Sequence, residues 1–477
     1  MARTRILVTV GPASSSPERL RGLLKAGADA FRINFSHGTE QEHRAVLRAC
    51  RNVCEELGRV CVRVADLQGP KIRLGELPRG AQTLRDGEIV RLVGQRDSPP
   101  GSAWVVTLPS LCESVREGDR LLLGDGNVEL EVVARDPPLV TARVTHGGPV
   151  TSHQGVYLPE AQLDLPILEE KDLGDLKVAL EEGVEWVAVS FVRSAEDIRT
   201  VRQAIAKMNP PREPGIIAKI ERRPAVENII PILQESDAIM VARGDLGIET
   251  SLVELPVTQK VLLHQANLAG KPAIVATQML LSMVHAPRPT RAEVSDVANA
   301  ILDGADCLML SEETAVGDFP VEATDYLRRT AEAVEALEIP VPARVRHPAG
   351  EESEGREERA VARSALDLAE EISALVIVVP THSGRTARWV SRLRPRVPIL
   401  ALTSQPQTPA RLGFTWGVRT RLVPAHLPLE RLRDEARRAA GELLGVSQGT
   451  LVLTAGYPVE GRPTNLLLVS EIGGPSS

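Results

Sequence analysis

The sequence is poor in aromatic residues and in cysteine. Only 3% of its 477 residues are aromatic, and its five cysteines are odd in number. They form no Cys-x-x-Cys pair, which argues against a disulfide framework and against a zinc site. Surfaces that bind nucleic acid usually combine clustered cations with stacking rings. A chain with few rings, no long basic tract and a net charge of −7 is therefore not expected to bind nucleic acid.

Long apolar runs are also missing. No run approaches the roughly 20 residues that a membrane-spanning helix needs. The first residues, MARTRILVTVGP, lack the apolar core and the small-residue cleavage site of a signal peptide. We therefore expect no membrane partner and a cytoplasmic location. Lysine is scarce too, since only eight lysines stand against 48 arginines. A coding bias toward arginine would explain this ratio. A lysine that is retained despite the bias is therefore a mild indication of a specific role.

The length predicts two to four domains of roughly 100–200 residues each. In residues 1–71 and again in residues 157–340, short apolar strands alternate with amphipathic helices. The predicted strands are 4–10, 29–36, 60–67, 184–192, 215–221, 238–244, 272–277 and 307–310. Eight strands, each followed by a helix, predict a closed (β/α)₈ barrel of the TIM type.

Two other segments break this alternation. Residues 72–156 show period-two alternation interrupted by turn dipeptides such as Asp86-Gly87, which predicts a small β-barrel domain inserted as a lid. Residues 341–360 are polar and are interpreted as a linker. The remainder of 341–477 carries apolar runs at 374–379, 398–403, 451–456 and 466–469, which predict an open α/β sheet domain.

Polar side chains follow six of the predicted barrel strands at their carboxyl ends, where barrels of this type carry their active sites. These residues are Arg32, Asn34, Ser36, His37, Asp66, Lys219, Glu221, Arg243, Gly244, Asp245, Thr277, Gln278, Ser311 and Glu313. One such residue would be a helix cap or a rim ion pair. Convergence from six strands predicts an active site.

Lys219 and Glu221 lie two residues apart on one strand, so their side chains face the same side. A structural ion pair remains an alternative explanation. Glu221 and Asp245 together offer two carboxylates to one divalent ion, as magnesium prefers. A lysine beside such an ion suits an enolate or a transferring phosphoryl group, and Arg32 would clamp a phosphate. Gln278 and Ser282 are expected to cap the following helix.

Six segments of the sequence resemble segments of pyruvate kinases, and they occur in the same order along the chain as in that family. They are FRINFSHG (31–38), DLQGPKIR (66–73), IIAKIE (216–221), IMVARGDLGIE (239–249), ATQML (276–280) and PRPTRAEVSDVANAILDGADCLMLS (287–311). The resemblance covers essentially the whole chain. It implies transfer of the phosphoryl group of phosphoenolpyruvate to ADP, giving pyruvate and ATP in the last step of glycolysis.

The resemblance also implies roles for single residues. Lys219 would stabilise the transition state and the enolate, Arg32 would contact the phosphate, and Glu221 and Asp245 would hold Mg²⁺ or Mn²⁺. Gly244, Asp245 and Thr277 would bind the carboxylate end of the substrate. Thr277, with Ser311, would lie on the route by which a proton reaches the enolate carbon. The residues expected to face the nucleotide or a monovalent cation are Asn34, Ser36, His37 and Arg73.

One departure from the family concerns a potassium site. The family's potassium ligands are matched by Asn34, Ser36, Asp66 and the main chain of Leu67. Lys71 stands where many members have glutamate. Members with lysine at this position resemble the potassium-independent branch of the family. Its ammonium could supply the charge of the ion, so we hypothesise that potassium is not required; the alternative is a surface lysine in a loop.

The C-terminal domain carries THSGRT between an apparent strand and a helix. By resemblance, Thr381, Ser383, Gly384, Arg385 and Thr386 are candidates for a sugar-phosphate or nucleotide effector site, so the enzyme is expected to be allosteric; plain helix capping is the alternative. A homotetramer is expected from the family alone.

Two other functions fit part of the pattern. A lyase or aldolase acting on phosphoenolpyruvate or an oxoacid would explain Lys219, Glu221 and Asp245 but not the residues on the nucleotide side. A non-catalytic sensor that binds a metabolite through the C-terminal domain would predict a broken active site. No core residue of the site is missing, and formation of pyruvate that depends on ADP separates a kinase from the lyase or aldolase.

Overall fold

A computed structural model describes residues 2–77, 80–95, 103–124, 126–161, 165–337, 356–456 and 464–473. It contains a barrel, an inserted β domain and a C-terminal α/β domain. Within those ranges, no helix is both long enough and apolar enough to cross a membrane.

The chain begins with three strand–helix units. Their elements are β1 (Arg5–Thr9), α1 (Pro17–Ala26), β2 (Ala30–Asn34), α2 (Glu40–Glu56) and β3 (Val62–Asp66). Helix α1 follows its sequence signals closely. Ser16 accepts a hydrogen bond from the Arg19 amide, Pro17 is the first helical residue, and Gly27 ends the helix in the left-handed conformation.

The inserted domain follows β3. Its elements are β4 (Gln82–Leu84), β5 (Ile89–Gly94), β6 (Trp104–Val106), α3 (Leu111–Ser114), β7 (Arg120–Leu123), β8 (Val128–Asp136), β9 (Leu139–His146), β10 (Gly148–Val150) and β11 (Val156–Tyr157). Six of the strands form one sheet in the order β11-β7-β8-β9-β5-β6. Because β11 belongs to this sheet, the domain extends just beyond the expected limit at residue 156, to Tyr157.

The chain then returns to the barrel. Its elements are α4 (Glu170–Glu181), β12 (Trp186–Val189), α5 (Ala195–Met208), β13 (Gly215–Ile220), α6 (Arg223–Glu227), α7 (Ile229–Glu235), β14 (Ala238–Ala242), α8 (Arg243–Glu249), α9 (Leu255–Ala269), β15 (Ala273–Ala276), a 3₁₀ turn (Leu281–Val284), α10 (Arg291–Leu302), β16 (Cys307–Leu310), α11 (Glu312–Ala315) and α12 (Pro320–Glu335).

The eight parallel strands close in the order β1-β16-β15-β14-β13-β12-β3-β2, which confirms the predicted barrel. Their sequences are mostly apolar, with a few charged residues among them, which fits strands buried on both faces. The base of the barrel is filled from outside. Phe414, a fully buried residue of the C-terminal domain, packs edge-on against Trp186 with ring centroids 5.2 Å apart.

The C-terminal domain contains α13 (Arg356–Glu371), β17 (Val376–Pro380), α14 (Arg385–Ser391), β18 (Ile399–Thr403), α15 (Thr408–Arg411), β19 (Val418–Leu422), α16 (Leu429–Leu444), β20 (Gly449–Ala455) and β21 (Leu466–Ile472). Its open five-stranded sheet confirms the expected architecture. Strand β19 was not predicted. Most of the predicted linker lies outside the described residues, and its last five positions begin helix α13 instead.

Candidate active site at the carboxyl ends of the barrel strands

The centre of the site is the ammonium group of Lys219 on β13. Its Nζ lies 2.9 Å from Glu221 Oε1 and 3.3 Å from Asp66 Oδ1. It also donates a 2.7 Å hydrogen bond to Ser190 Oγ, which in turn donates to the carbonyl of Leu67 at 2.7 Å. Strands β3, β12 and β13 therefore meet at one cation.

Electrostatics favour the charged forms of Lys219 and Asp66. Burial alone would lower the pKa of Lys219, but the carboxylates of Asp66 and Glu221 raise it far above its ordinary value. Burial would raise the pKa of Asp66, but Lys219 and Arg32 outweigh burial and lower it. Arg32 Nε donates to Asp66 Oδ2 at 2.6 Å. Burial raises the pKa of Glu221, and the nearby charge of Asp245 adds to this effect.

Glu221 and Asp245 are the carboxylates that could hold a divalent ion. Glu221 is almost fully buried, and its Oε2 accepts a 2.8 Å hydrogen bond from the Phe191 amide. Asp245, in the first turn of α8, accepts a 2.7 Å bond from Tyr157 on Oδ1. The described residues contain no group of three or more carboxylate, histidine or cysteine ligands. Two carboxylates suit Mg²⁺, which takes its other ligands from water and substrate oxygens.

Gly244 provides space beside these carboxylates. A Cβ placed there would meet no protein atom closer than 3.7 Å, so no neighbouring group of the chain requires glycine. This opening fits a ligand that approaches the main chain closely. The Gly244 amide donates to Thr277 Oγ1 at 2.8 Å, and the Thr277 hydroxyl donates to the Ala276 carbonyl at 2.6 Å.

The ends of β15 and β16 are joined through the buried carboxylate of Glu313. Its two oxygens accept hydrogen bonds from the amides of Leu280 at 3.0 Å and Ser311 at 2.7 Å. Burial raises the pKa of Glu313. The hydroxyl oxygen of Ser311 is itself buried and has no hydrogen-bond partner in the structure. Such an atom indicates a position for a water molecule or a substrate group.

The expected nucleotide-side residues divide between barrel and lid. Asn34 ends β2, and its side-chain oxygen accepts a 3.2 Å bond from the Ser36 amide. His37 is exposed beside them. Arg73 lies at the base of the lid, where its guanidinium donates to the His153 carbonyl at 3.1 Å. Across the sheet, Asn34 is the register partner of Asp66.

Lys71 extends toward the carboxylate of Asp245. Its Nζ lies 3.7 Å from Asp245 Oδ1 and 5.8 Å from the centroid of the Tyr157 ring. These contacts place its charge beside Asp245 and Tyr157. The contact with Asp245 was not anticipated from the sequence.

The THSGRT loop lies between β17 and α14 as predicted, but several of its groups already have partners. Thr381 Oγ1 accepts a 3.0 Å bond from the Gly384 amide, and Thr386 shares a 2.8 Å bond with Thr464. Arg385 forms an ion pair with Glu358 of α13. Ser383 is exposed.

The prediction that Ser282 caps the following helix is wrong. Ser282 lies in the 3₁₀ turn and donates to Glu293 instead, whereas Thr290 caps α10. Gln278 is exposed, with no capping bond in the described part of the chain. Sequence reasoning also missed Ser190 and Tyr157, which directly contact the predicted site residues.

Known proteins match this architecture over nearly the whole chain. A model of the pyruvate kinase barrel domain matches residues 1–324, and a model of the pyruvate kinase alpha/beta domain matches residues 359–470. Pyruvate kinase from Agrobacterium vitis is 43% identical over 99% of this chain and 98% of that protein. Pyruvate kinase from Mycobacterium tuberculosis strain H37Rv is 40% identical over 99% of this chain and 98% of its own length. A crystal structure of a pyruvate kinase from Cryptosporidium parvum superposes with a TM-score of 0.91 and 32% identity, covering 99% and 96% of the two chains.

Proposed function

The chain belongs to the pyruvate kinase family, and from this premise we propose how its own residues perform the reaction of that family. The reaction is transfer of the phosphoryl group of phosphoenolpyruvate to ADP, which gives pyruvate and ATP. The observation that carries the proposal is the buried ammonium of Lys219, held 2.9 Å from Glu221 and 3.3 Å from Asp66 at the end of the barrel strands.

Lys219 acts as a permanent positive charge and not as a base, because its carboxylate neighbours keep it protonated. A fixed cation in a buried site stabilises charge that develops on the transferring phosphoryl group and on the enolate oxygen. Arg32 donates a hydrogen bond from Nε to Asp66 and one from Nη1 to Thr9 Oγ1, the latter at 3.0 Å. These two bonds orient its remaining N–H groups for the phosphate.

Glu221 and Asp245 would hold Mg²⁺ or Mn²⁺. When bound, the ion acts as a Lewis acid for the phosphoryl and enolate oxygens. Gly244, Asp245 and Thr277 bind the carboxylate end of the substrate, and the open space beside Gly244 admits it. The hydroxyls of Thr277 and Ser311 lie on the route by which a proton reaches the enolate carbon, and the unpartnered oxygen of Ser311 supports this assignment.

Asn34, Ser36, His37 and Arg73 bind the nucleotide from the two sides of the cleft. Arg73 belongs to the lid and the other three lie at or just after the end of β2, so closure of the lid assembles this set. Closure also keeps water from the phosphoryl group, which would otherwise be hydrolysed.

Lys71 removes the need for potassium. Asn34, Ser36, Asp66 and the Leu67 carbonyl retain the pattern of a potassium site. However, Asp66 already has two cationic neighbours and the Leu67 carbonyl already accepts a bond from Ser190. Lys71 adds one positive charge in covalent form, 3.7 Å from Asp245 Oδ1.

The THSGRT loop serves as an effector site for a phosphorylated sugar or a nucleotide, which makes the enzyme allosteric. The exposed Ser383 and the guanidinium of Arg385, which is held by Glu358, would meet a phosphate. A change at α14 would reach the barrel because the same domain supplies Phe414 to the barrel base.

An apolar face on α9 supports assembly into a homotetramer. Val257 and Val261 lie one turn apart and Val253 precedes them, with exposures of 63%, 47% and 87%. Two exposed valines one turn apart on α9, with an exposed valine just before the helix, favour contact with a second copy of the chain. Val257→Arg should give a smaller species in analytical ultracentrifugation, and an unchanged mass would remove this support.

A coupled assay tests the proposed reaction. Pyruvate formation from phosphoenolpyruvate, followed through lactate dehydrogenase, should require both ADP and a divalent ion. Lys219→Met should abolish it, whereas Lys177→Met, at an exposed lysine of α4, should not. Pyruvate formation without ADP would favour a lyase and contradict the proposal.

A further inference from the structure

Tyr157 makes a direct bond between the lid and a carboxylate of the barrel site. It lies on β11, where it pairs with Leu122 of β7 in the lid sheet. Its hydroxyl leaves that sheet and donates a 2.7 Å hydrogen bond to Asp245 Oδ1. The bond joins residues 88 positions apart in the chain. A lid residue therefore contacts one of the two carboxylates that we assign to the divalent ion.

The tyrosine ring is fixed in place by its surroundings. It is 6% exposed, and the Lys71 ammonium lies 5.8 Å from its centroid. The main chain of Gly155 runs against the ring, since a Cβ at that position would lie 3.2 Å from Cε2. A buried ring with a single hydroxyl orients its hydrogen bond more firmly than a flexible side chain does.

Helix α8 meets the lid at a second point as well. A Cβ on Gly126, at a turn of the lid, would lie 3.7 Å from Ile248 of α8. Asp245 is in the first turn of the same helix. The lid therefore contacts α8, the helix that carries Asp245. Closure of the lid and the orientation of the Asp245 carboxylate consequently depend on the same contacts.

The two oxygens of Asp245 differ in their surroundings. Oδ1 receives the Tyr157 hydroxyl and lies 3.7 Å from Lys71 Nζ. Within the described ranges, Oδ2 accepts no hydrogen bond. Donors on one oxygen fix the rotation of the carboxylate and leave the other oxygen for a cation. Partners of this kind orient metal ligands in other proteins.

We propose that Tyr157 is a positioning residue that couples lid closure to the metal carboxylate: its hydroxyl orients Asp245 for the divalent ion and holds the lid against α8. This inference rests on the proposed function, because it takes Asp245 to be a metal ligand. Tyr157 touches neither substrate nor reacting atoms in this role.

Tyr157→Phe tests the coupling, since it keeps the ring and removes only the hydroxyl. Binding of Mn²⁺ to the substrate-free protein, measured from the free-ion signal in electron paramagnetic resonance, should weaken by about tenfold, as for loss of a hydrogen bond to a charged group. Hydrogen exchange should become faster in β11 and α8. At saturating Mg²⁺ the kcat should change by less than about threefold, because the bound ion then orients Asp245 itself.

Tyr326→Phe is the matched control. Tyr326 lies on α12, outside the lid, and its ring lies beneath Arg329. The substitution should leave the Mn²⁺ affinity and the hydrogen exchange of β11 and α8 unchanged. Equal Mn²⁺ affinity of wild type and Tyr157→Phe would overturn the inference and leave the proposed reaction standing. If Glu221→Gln binds Mn²⁺ as tightly as wild type, the metal assignment fails and the inference fails with it.

Discussion

The guanidinium of Arg243 donates a 2.8 Å hydrogen bond from Nη2 to the main-chain carbonyl of Thr277. Thr277 and Gln278 have φ angles of 72° and 55°, in the left-handed region that costs about 1–3 kcal/mol for a residue other than glycine. Asp296 fixes Arg243 from the other side at 2.7 Å. Arg243 thus holds the strained turn that presents the Thr277 hydroxyl to the site.

Arg243→Lys should therefore impair catalysis. One ammonium cannot bond both the Thr277 carbonyl and Asp296, so the turn loses its restraint. We expect kcat to fall by about tenfold or more, and the free energy of unfolding to fall by about 2 kcal/mol. Steady-state kinetics and urea unfolding measure these two changes. Arg329→Lys, at an exposed arginine of α12, is the control. An unchanged kcat would show that Arg243 does not position Thr277.

Lys219→Met should destabilise the protein in a pH-dependent way. It leaves Glu221 buried without its cation and Asp66 with Arg32 alone, a change that costs about 3–5 kcal/mol. Burial already raises the pKa of Glu221, and loss of Lys219 raises it further. When the pKa of a carboxyl group is higher in the folded state, the folded protein binds more protons than the unfolded chain. The protein therefore loses stability as the pH rises from the unfolded pKa of about 4.3 through the folded pKa.

The loss should thus be larger at about pH 8 than at about pH 5, measured by urea unfolding in the presence of a chelator. Adding Glu221→Gln to Lys219→Met should restore most of the stability because it removes the uncompensated charge. It should not restore activity. An equal loss at both pH values would contradict the charge argument.

The barrel could be predicted from the sequence because its parallel strands are apolar runs that end in polar residues. Ser190 shows where this reasoning failed. The predicted fourth strand ran to residue 192, whereas β12 ends at Val189. Ser190 is in fact the polar residue at that strand's carboxyl end, so a shorter strand would have placed it in the site.

Other features have no local signal. Strand β19, VRTRL, lies at the edge of its sheet and its polar residues resemble those of a loop. The bond from Tyr157 to Asp245 joins two domains that meet only after folding. Neither hydrophobic period nor spacing can predict a contact between side chains so distant in sequence.

Activity should not depend on potassium. Replacing potassium with tetramethylammonium should change kcat by less than about threefold, because Lys71 supplies the charge of the ion. Lys71→Glu should lower the rate by about tenfold or more without potassium, and added potassium should restore it. Lys25→Glu, on α1 and away from the site, is the control. A large stimulation of the wild type by potassium would contradict the hypothesis.

The C-terminal domain should stabilise the barrel through Phe414. This residue is fully buried against Trp186, in the cluster at the barrel base that also contains Met240. Phe414→Ala leaves a cavity that no nearby chain can fill without moving the domain, and it should cost about 3–5 kcal/mol in the free energy of unfolding. Phe414→Leu keeps most of the volume and should cost less than about 1.5 kcal/mol.

Urea unfolding followed by tryptophan fluorescence measures both variants, since Trp186 lies against the replaced ring. If the domain and the barrel unfold separately, Phe414→Ala should also move the barrel transition to lower urea. If Phe414→Ala and Phe414→Leu shift the transition equally, polar contacts between the domains, and not the Phe414 side chain, stabilise the barrel base. Arg394 with Asp306, 2.9 Å apart, is then the pair to test next.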